Sequence, residues 1–251
     1  MSDGRRLPIY IVVDVSGSMS GQPIQTVKNN LESLCDELAQ DRRLSESAYL
    51  SVITYSTQAE QLIDLRSATT GDFSALNNLP DMAARGGMTA TGDALKKVCE
   101  CVNRELIPAH TAHTGDYKPI LVLLTDGQSN VGSLSDGIEA IHKIHWGRVI
   151  IAGAGDDVSE EELLSIKGTD KRDKEIYLTV RIEDTSANSM AAFFEMVSQS
   201  IRRESEVAQT GQTSTDDPVM EVLNDPDSGV TEISDPTADS WSDPGVAPVD
   251  M

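Results

Sequence analysis

Short, continuous apolar runs alternate along this chain with longer stretches in which apolar residues recur every three or four positions. The runs read as strands buried on both faces, and the spaced stretches as amphipathic helices. Leu7–Val13 predicts the first strand. A helix follows from about Pro23, a residue favoured at the first helical position, with Ile24, Val27, Leu31, Leu34 and Leu38 on one face. Tyr49–Tyr55 predicts a second strand, with Ala59–Leu65 as its hairpin partner at the sheet edge. A polar loop then leads through Arg85-Gly86-Gly87-Met88-Thr89 to a helix over Gly92–Ile107. Ile120–Leu124 is the next buried strand. Ser135–His145 follows as a helix, Arg148–Ala152 as a strand, Ser159–Ile166 as a short Ser-capped helix, Ile176–Val180 as a strand and Ser189–Ile201 as a closing helix. The predicted class is α/β: a doubly wound, mostly parallel open sheet with one antiparallel edge strand and helices on both faces.

After Arg203 the periodicity stops, which divides the chain into a domain over 1–203 and a segment over 204–251. That segment holds twelve Asp or Glu and no Lys or Arg, and it repeats Asp-Pro at 217–218, 225–226, 235–236 and 243–244. Low hydrophobicity with charge of one sign cannot offset the ordering entropy, so a disordered acidic tail is expected. Val219–Leu223 is its one apolar cluster, a short docking helix or strand. Thr213 with Asp216 three residues on resembles a phosphothreonine pattern bound by forkhead-associated domains, against a solvated acidic spacer as the plainer reading. The formal net charge of the whole chain is -21, and a nucleic-acid role is excluded for want of clustered positive charge. Three cysteines without framework spacing, Cys35, Cys99 and Cys101, fit a reducing compartment and buried packing. No signal peptide and no run of eighteen apolar residues is seen, so the expectation is a cytoplasmic protein with no membrane contact.

The candidate chemistry begins where the first strand ends. Asp14-Val15-Ser16-Gly17-Ser18 sets a carboxylate and two hydroxyls two residues apart, at the strand end where open α/β sheets bind ligands. Oxygen donors carrying one charge suit a hard divalent cation, although Asp, Ser and Gly are also ordinary turn formers. Asp126 follows the Ile120–Leu124 strand and reaches the same rim, and Thr89 sits just before a helix. Other signals are weaker. Gly153-Ala154-Gly155 is too short for a dinucleotide fingerprint, and no Gly-Lys-Ser/Thr loop or Gly-x-Ser-x-Gly elbow occurs. The pairs His110/His113 and His142/His145 lack nearby further ligands for zinc. Glu160-Glu161-Glu162 is a favourably charged helix start.

Asp14-x-Ser16-x-Ser18, the threonine after a glycine pair and Asp126-Gly127 after an apolar strand resemble the metal-ion-dependent adhesion site of the von Willebrand factor A domain, over about residues 6–203. Ser18–Ile24, Gly115–Pro119 and Leu123–Gly127 are more specifically similar to bacterial TerY-type proteins of the tellurium-resistance and stress group. The resemblance implies a non-catalytic module in which Ser16 and Ser18 ligate Mg²⁺ directly. Thr89 would join on ligand engagement, and Asp14 and Asp126 would act mainly through water. Mn²⁺ or Ca²⁺ are alternatives to Mg²⁺. Met88 lengthens the gap after Gly87, so Thr91 competes with Thr89; the following Gly92-Asp93-Ala94-Leu95 favours Thr89. The implied partner is a cytoplasmic protein supplying an Asp or Glu to the metal, such as a protein kinase, a PP2C-type phosphatase or a MoxR-like AAA+ ATPase. A metal-dependent phosphohydrolase using the same rim is the rival from another class.

Overall fold

A computed structural model describes residues 4–111, 114–167, 176–211 and 218–234. Leu7–Asp14 forms β1, and all eight of its residues are buried. Such a strand is covered on both faces, which is what its unbroken apolar run requires. β2 (Ala48–Tyr55) and β4 (Ile120–Thr125) flank it in parallel, and β5 (Arg148–Ala154) and β6 (Tyr177–Ile182) extend the parallel array. β3 (Ala59–Ser67) closes one edge antiparallel to β2, and β7 (Val230–Glu232) closes the other antiparallel to β6. The strand order is β3-β2-β1-β4-β5-β6-β7. The chain winds outward from β1 in one direction and from β4 in the other, so the topological switch lies between them. The α/β class and the β2–β3 hairpin are as expected from the sequence; β7 adds a second antiparallel edge.

Alternation along each strand divides the core. Ile9, Ile11 and Val13 point toward α1 (Gln22–Gln40) and α6 (Ala187–Thr210). Tyr10 and Val12 point toward α3 (Thr91–Glu105), α4 (Leu134–His142) and α5 (Glu160–Ile166). Sequence periodicity misses one region. Within the polar loop, a 3-10 turn over Ser74–Asn78 and α2 (Leu79–Ala84) bury Leu76, Leu79 and Ala83. A six-residue helix offers less than two turns of period to read.

The boundary at residue 203 is also corrected. α6 continues to Thr210 and stops at Gly211, which takes the left-handed conformation at φ 69°. A short helix, α7 (Val219–Asn224), follows, and β7 then pairs with β6. Val219, Val230 and Ile233 are buried. Few apolar residues are needed here because the existing domain supplies the other half of each contact, and the exposed edge of β6 supplies backbone partners. Val219–Leu223 is therefore a helix docked on its own domain. Thr213, Asp216 and residues 235–251 lie outside the described residues. Among the described residues no helix is long and apolar enough to cross a membrane.

One close approach fixes how the helices over the Tyr10 face meet. A Cβ on Gly92 of α3 would stand 2.2 Å from the Ser133 carbonyl oxygen, and one on Gly137 of α4 would stand 2.5 Å from the Gly92 oxygen. A glycine inside a helix ordinarily costs about 1 kcal/mol relative to alanine. Here the backbone contact reverses that preference. Gly92→Ala and Gly137→Ala are each expected to destabilise the protein by about 1–3 kcal/mol, the usual cost of overpacking. Urea unfolding should show a lower midpoint with an unchanged slope, and the double variant should fall short of additivity because both changes act on one contact.

Candidate metal centre

β1 and β4 end side by side at the switch point, and this brings Asp14 and Asp126 to one place on the rim. The backbone turns away immediately after β1. Val15 N–H still donates to the Tyr55 carbonyl at 2.8 Å, and a 3-10 turn over Gly17–Met19 follows, pinned by the fully buried Met19. The turn folds the Ser16 N–H back to donate to Asp14 Oδ1 at 2.8 Å. Thr125, the last residue of β4, donates its hydroxyl to Asp14 Oδ2 at 2.8 Å. Ser18 donates to Asp126 Oδ1 at 2.8 Å, and the Ser16 and Ser18 hydroxyl oxygens stand 3.0 Å apart. Asp14, Ser16, Ser18 and Asp126 are thus one connected cluster. Asp14 is 0% exposed and Asp126 8%, whereas Ser18 is exposed, so the cluster rises from a buried base to an open mouth.

Thr89 closes the third side. The Gly86–Thr89 loop is tied to the β2–β3 turn by Met88 N–H donating to Thr57 Oγ1 at 3.1 Å and Ala90 N–H donating to the Ser56 carbonyl at 2.9 Å. Thr89 and Asn130 grip each other. Thr89 N–H donates to Asn130 Oδ1 at 2.9 Å, and Asn130 N–H donates to the Thr89 carbonyl at 2.9 Å. A Cβ on Gly127, next to Asp126, would lie 3.8 Å from Thr89 Oγ1, so this hydroxyl sits at the Asp126 side of the rim. Thr91 is fully buried in the first turn of α3, and its hydroxyl faces the Tyr55 phenol beneath the cluster. Thr89 thus lies beside Gly127, and Thr91 beside Tyr55.

Electrostatics explains what this cluster lacks. Burial pushes the Asp14 carboxyl up to about 6, opposed by its hydrogen bonds from Ser16 and Thr125 and reinforced by the charge of Asp126. Burial likewise raises Asp126, opposed chiefly by Ser18. Among the described residues neither carboxylate takes part in an ion pair with Lys, Arg or His. Two adjacent buried carboxylates without a cation, edged by three hydroxyls, form an oxygen-only donor set of the type that hard divalent ions take. The residues present fit such an ion.

Several contributors were not singled out in the sequence. Thr125 and Asn130 act as described above. Glu162, read only as part of a charged helix start, accepts from Ser129 N–H at 2.8 and 3.1 Å through its two oxygens and so braces the loop after Asp126. Its neighbour Ser159 caps α5 by accepting from Glu162 N–H, as the sequence indicates. The weaker signals resolve structurally. His142 bonds the Ile166 carbonyl at 3.0 Å and meets Tyr177 edge-on. Gly153 makes room for Leu163 and Val158, whose side chains would lie 2.6–2.7 Å from a Cβ there. Cys35, Cys99 and Cys101 are buried and free. His113 lies outside the described residues. Among the described residues no group of three or more His, Cys, Asp or Glu that could hold a metal assembles, and the rim itself brings together two carboxylates with hydroxyls.

The family model described as "von Willebrand factor type A domain" matches residues 9–193. Inter-alpha-trypsin inhibitor heavy chain H3 of Mus musculus is 32% identical over 127 residues, which make up 49% of this chain and 13% of that protein. The chain therefore spans only a small part of this relative. A solved von Willebrand factor type A structure from Catenulispora acidiphila is similar in fold, with a TM-score of 0.58 at 20% identity over 78% of this chain and 43% of that one. Proximal thread matrix protein 1 from the mussel byssus, solved with a zinc-occupied metal-ion-dependent adhesion motif, gives a TM-score of 0.52 at 20% identity, covering 78% of this chain and 48% of that one.

Without metal the Asp14 charge is a burden. Its folded value, about 6, lies above the ordinary 3.8, so the fold favours the neutral carboxyl. This contribution to metal-free stability is complete below about pH 4 and is lost as pH rises through about 6, a swing of about 3 kcal/mol. In EDTA, Asp14→Asn should be more stable than the unsubstituted chain at pH 7.5 and no more stable at pH 4. Chemical denaturation at the two pH values measures the difference directly.

Proposed function

This chain belongs to the von Willebrand factor type A domain family, and from that premise we propose that it is a non-catalytic protein-binding module that works through a divalent cation. Domains of this family typically bind a divalent metal at such a site and use it in protein interaction. They are generally interaction modules and not enzymes. The observation that carries the proposal is the joined cluster of Asp14, Ser16, Ser18 and Asp126, with two buried carboxylates and, among the described residues, no ion-paired cation.

Ser16, Ser18 and Thr89 would hold the ion through hydroxyl oxygens. Asp14 and Asp126 are already engaged by Thr125, Ser16 and Ser18, and would set the charge behind it. Mg²⁺ suits compact oxygen ligation, with Mn²⁺ as its close mimic and Ca²⁺ less apt. Zinc, present in the mussel relative, prefers nitrogen and sulfur donors that this cluster lacks. The bound cation supplies an incompletely neutralised positive charge at the mouth of the site. Ser18 and the Gly86–Thr89 loop leave that mouth open, so a carboxylate from another molecule can approach. The partner class is therefore a protein presenting Asp or Glu. The similarity of Ser18–Ile24 and Leu123–Gly127 to TerY-type proteins supports a cytoplasmic stress or defence assembly. Its kinase, PP2C-type phosphatase or MoxR-like AAA+ component would be the first partners to test.

Outer contacts of a metal site alone are worth about 10–100-fold in affinity. Ser16→Ala removes a hydroxyl facing the ion, so it should weaken Mg²⁺ binding by at least tenfold in calorimetry while leaving the fold intact. Capture of a candidate partner should be lost both in EDTA and in Ser16→Ala. Mg²⁺-dependent turnover of a phosphate ester that disappears in Asp14→Ala would overturn the non-catalytic reading in favour of a phosphohydrolase.

A further inference from the structure

The metal rim stands at the carboxyl ends of the parallel strands. A second concavity, of about 760 Å³, opens at their amino ends, walled by residues that begin or just precede β1, β4, β5 and β6 and by the last turns of α6. Among the described residues, Arg5, Lys118, Arg148 and Arg203 line it together with Glu204, with Trp146 in the wall. Arg5 is held there by donating to the Gly115 and Asp116 carbonyls and lying 4.0 Å over the Tyr117 ring. In a chain of net charge -21, this described lining is rich in basic side chains.

The same chain carries a segment of complementary charge. Residues 235–251 contain Asp235, Asp239, Asp243 and Asp250, with Trp241 between them and neither Lys nor Arg. The course of β7 determines where that segment starts. β7 runs antiparallel to β6, with Val230 opposite Ile182 and Glu232 opposite Val180. Ile233 N–H continues the pairing by donating to the Thr179 carbonyl at 2.8 Å. The strand thus carries the chain from the metal rim back toward the amino end of β6. Ser234 leaves the sheet close to Tyr177, beside Ile176, which is itself part of the cleft wall.

We propose that this basic cleft is the docking site of the chain's own acidic segment 235–251. Reach does not limit it, since seventeen residues extend roughly 55 Å at about 3.3 Å each. Nor does affinity. Individual exposed ion pairs are weak, but a short tether supplies an effective concentration of about 1 mM, so a dissociation constant of about 0.1 mM would leave the cleft mostly filled. Docking there holds the four aspartates at the rim opposite Asp14. The attraction is electrostatic and must weaken as salt shortens the Debye length.

The test uses the full chain with Ser242→Cys carrying a nitroxide label. The native thiols are buried, so the label goes to the new cysteine. With the label oxidised, amide NMR signals of Lys118, Gly147 and Val207 should be lost relative to the reduced sample. They should return in high salt, in the Lys118→Glu/Arg203→Glu variant, and in Asp239→Asn/Asp243→Asn, which leaves the folded domain untouched. Signals that survive the oxidised label would overturn the proposal, leaving the cleft to a separate acidic partner. So would losses that persist in both high salt and the Asn variant. If losses arise only when tagged unlabelled chains are mixed with untagged isotope-labelled ones, the occupant is a second copy and docking within one chain is wrong.

Discussion

A buried carboxylate with no ion-pair partner among the described residues sets the terms for the rest of the rim. Asp14 is removed from water at the end of the central strand, and among the described residues it is held by hydrogen bonds from Ser16 and from the Thr125 hydroxyl. Those bonds orient both oxygens but leave burial dominant, which is why the group is pushed up to about 6. Asp126 stands near enough to add repulsion. An arrangement that works against its own charge when alone is suited to a positive ion supplied from outside, and the proposed role as a metal-dependent binding module rests on that imbalance.

The fold makes such a costly arrangement possible by placing it where the sheet changes direction. β1 and β4 are neighbours, yet the connections that follow them leave over opposite sides, so a crevice opens between their ends. Three loops then have to be fixed around it. The turn after β1 is anchored by buried Met19, the Gly86–Thr89 loop by Ser56, Thr57 and Asn130, and the loop after β4 by Glu162. The Gly92–Gly137 contact sets how closely α3 approaches α4, and with it the position of Thr89 just before α3. In the loops after α2 and β4 the donors of these contacts are backbone N–H groups, so the Thr89 hydroxyl takes no part in this fastening.

The two ends of the sheet differ in electrical character. The carboxyl-end rim gathers Asp14 and Asp126, with Asp157 near enough to raise Asp126 further. The amino-end cleft gathers Arg5, Lys118, Arg148 and Arg203. The antiparallel course of β7 links them, since it starts beside the end of β6 and finishes toward its beginning. The proposed docking of the acidic segment at the basic end would keep its carboxylates away from the rim.

What the sequence determined by itself was whatever depends on local pattern. The apolar runs Leu7–Val13 and Ile120–Leu124 are of strand length and bounded by turn residues, and their alternation with amphipathic helices points to the α/β class. Asp14-x-Ser16-x-Ser18 and Asp126 were legible because the ends of parallel strands share a rim. Tertiary structure decided what depends on neighbours distant in the chain. Thr125, Asn130 and Glu162 carry no local signature, because their roles come from what faces them: Asp14, Thr89 and Ser129. The choice between Thr89 and Thr91 rested on which hydroxyl faces Gly127 and which faces Tyr55. Residues 204–211 and 218–234 looked too polar to order. Their few apolar side chains suffice because α6 and the open edge of β6 already exist, and an isolated sequence cannot show a surface that the rest of the chain provides.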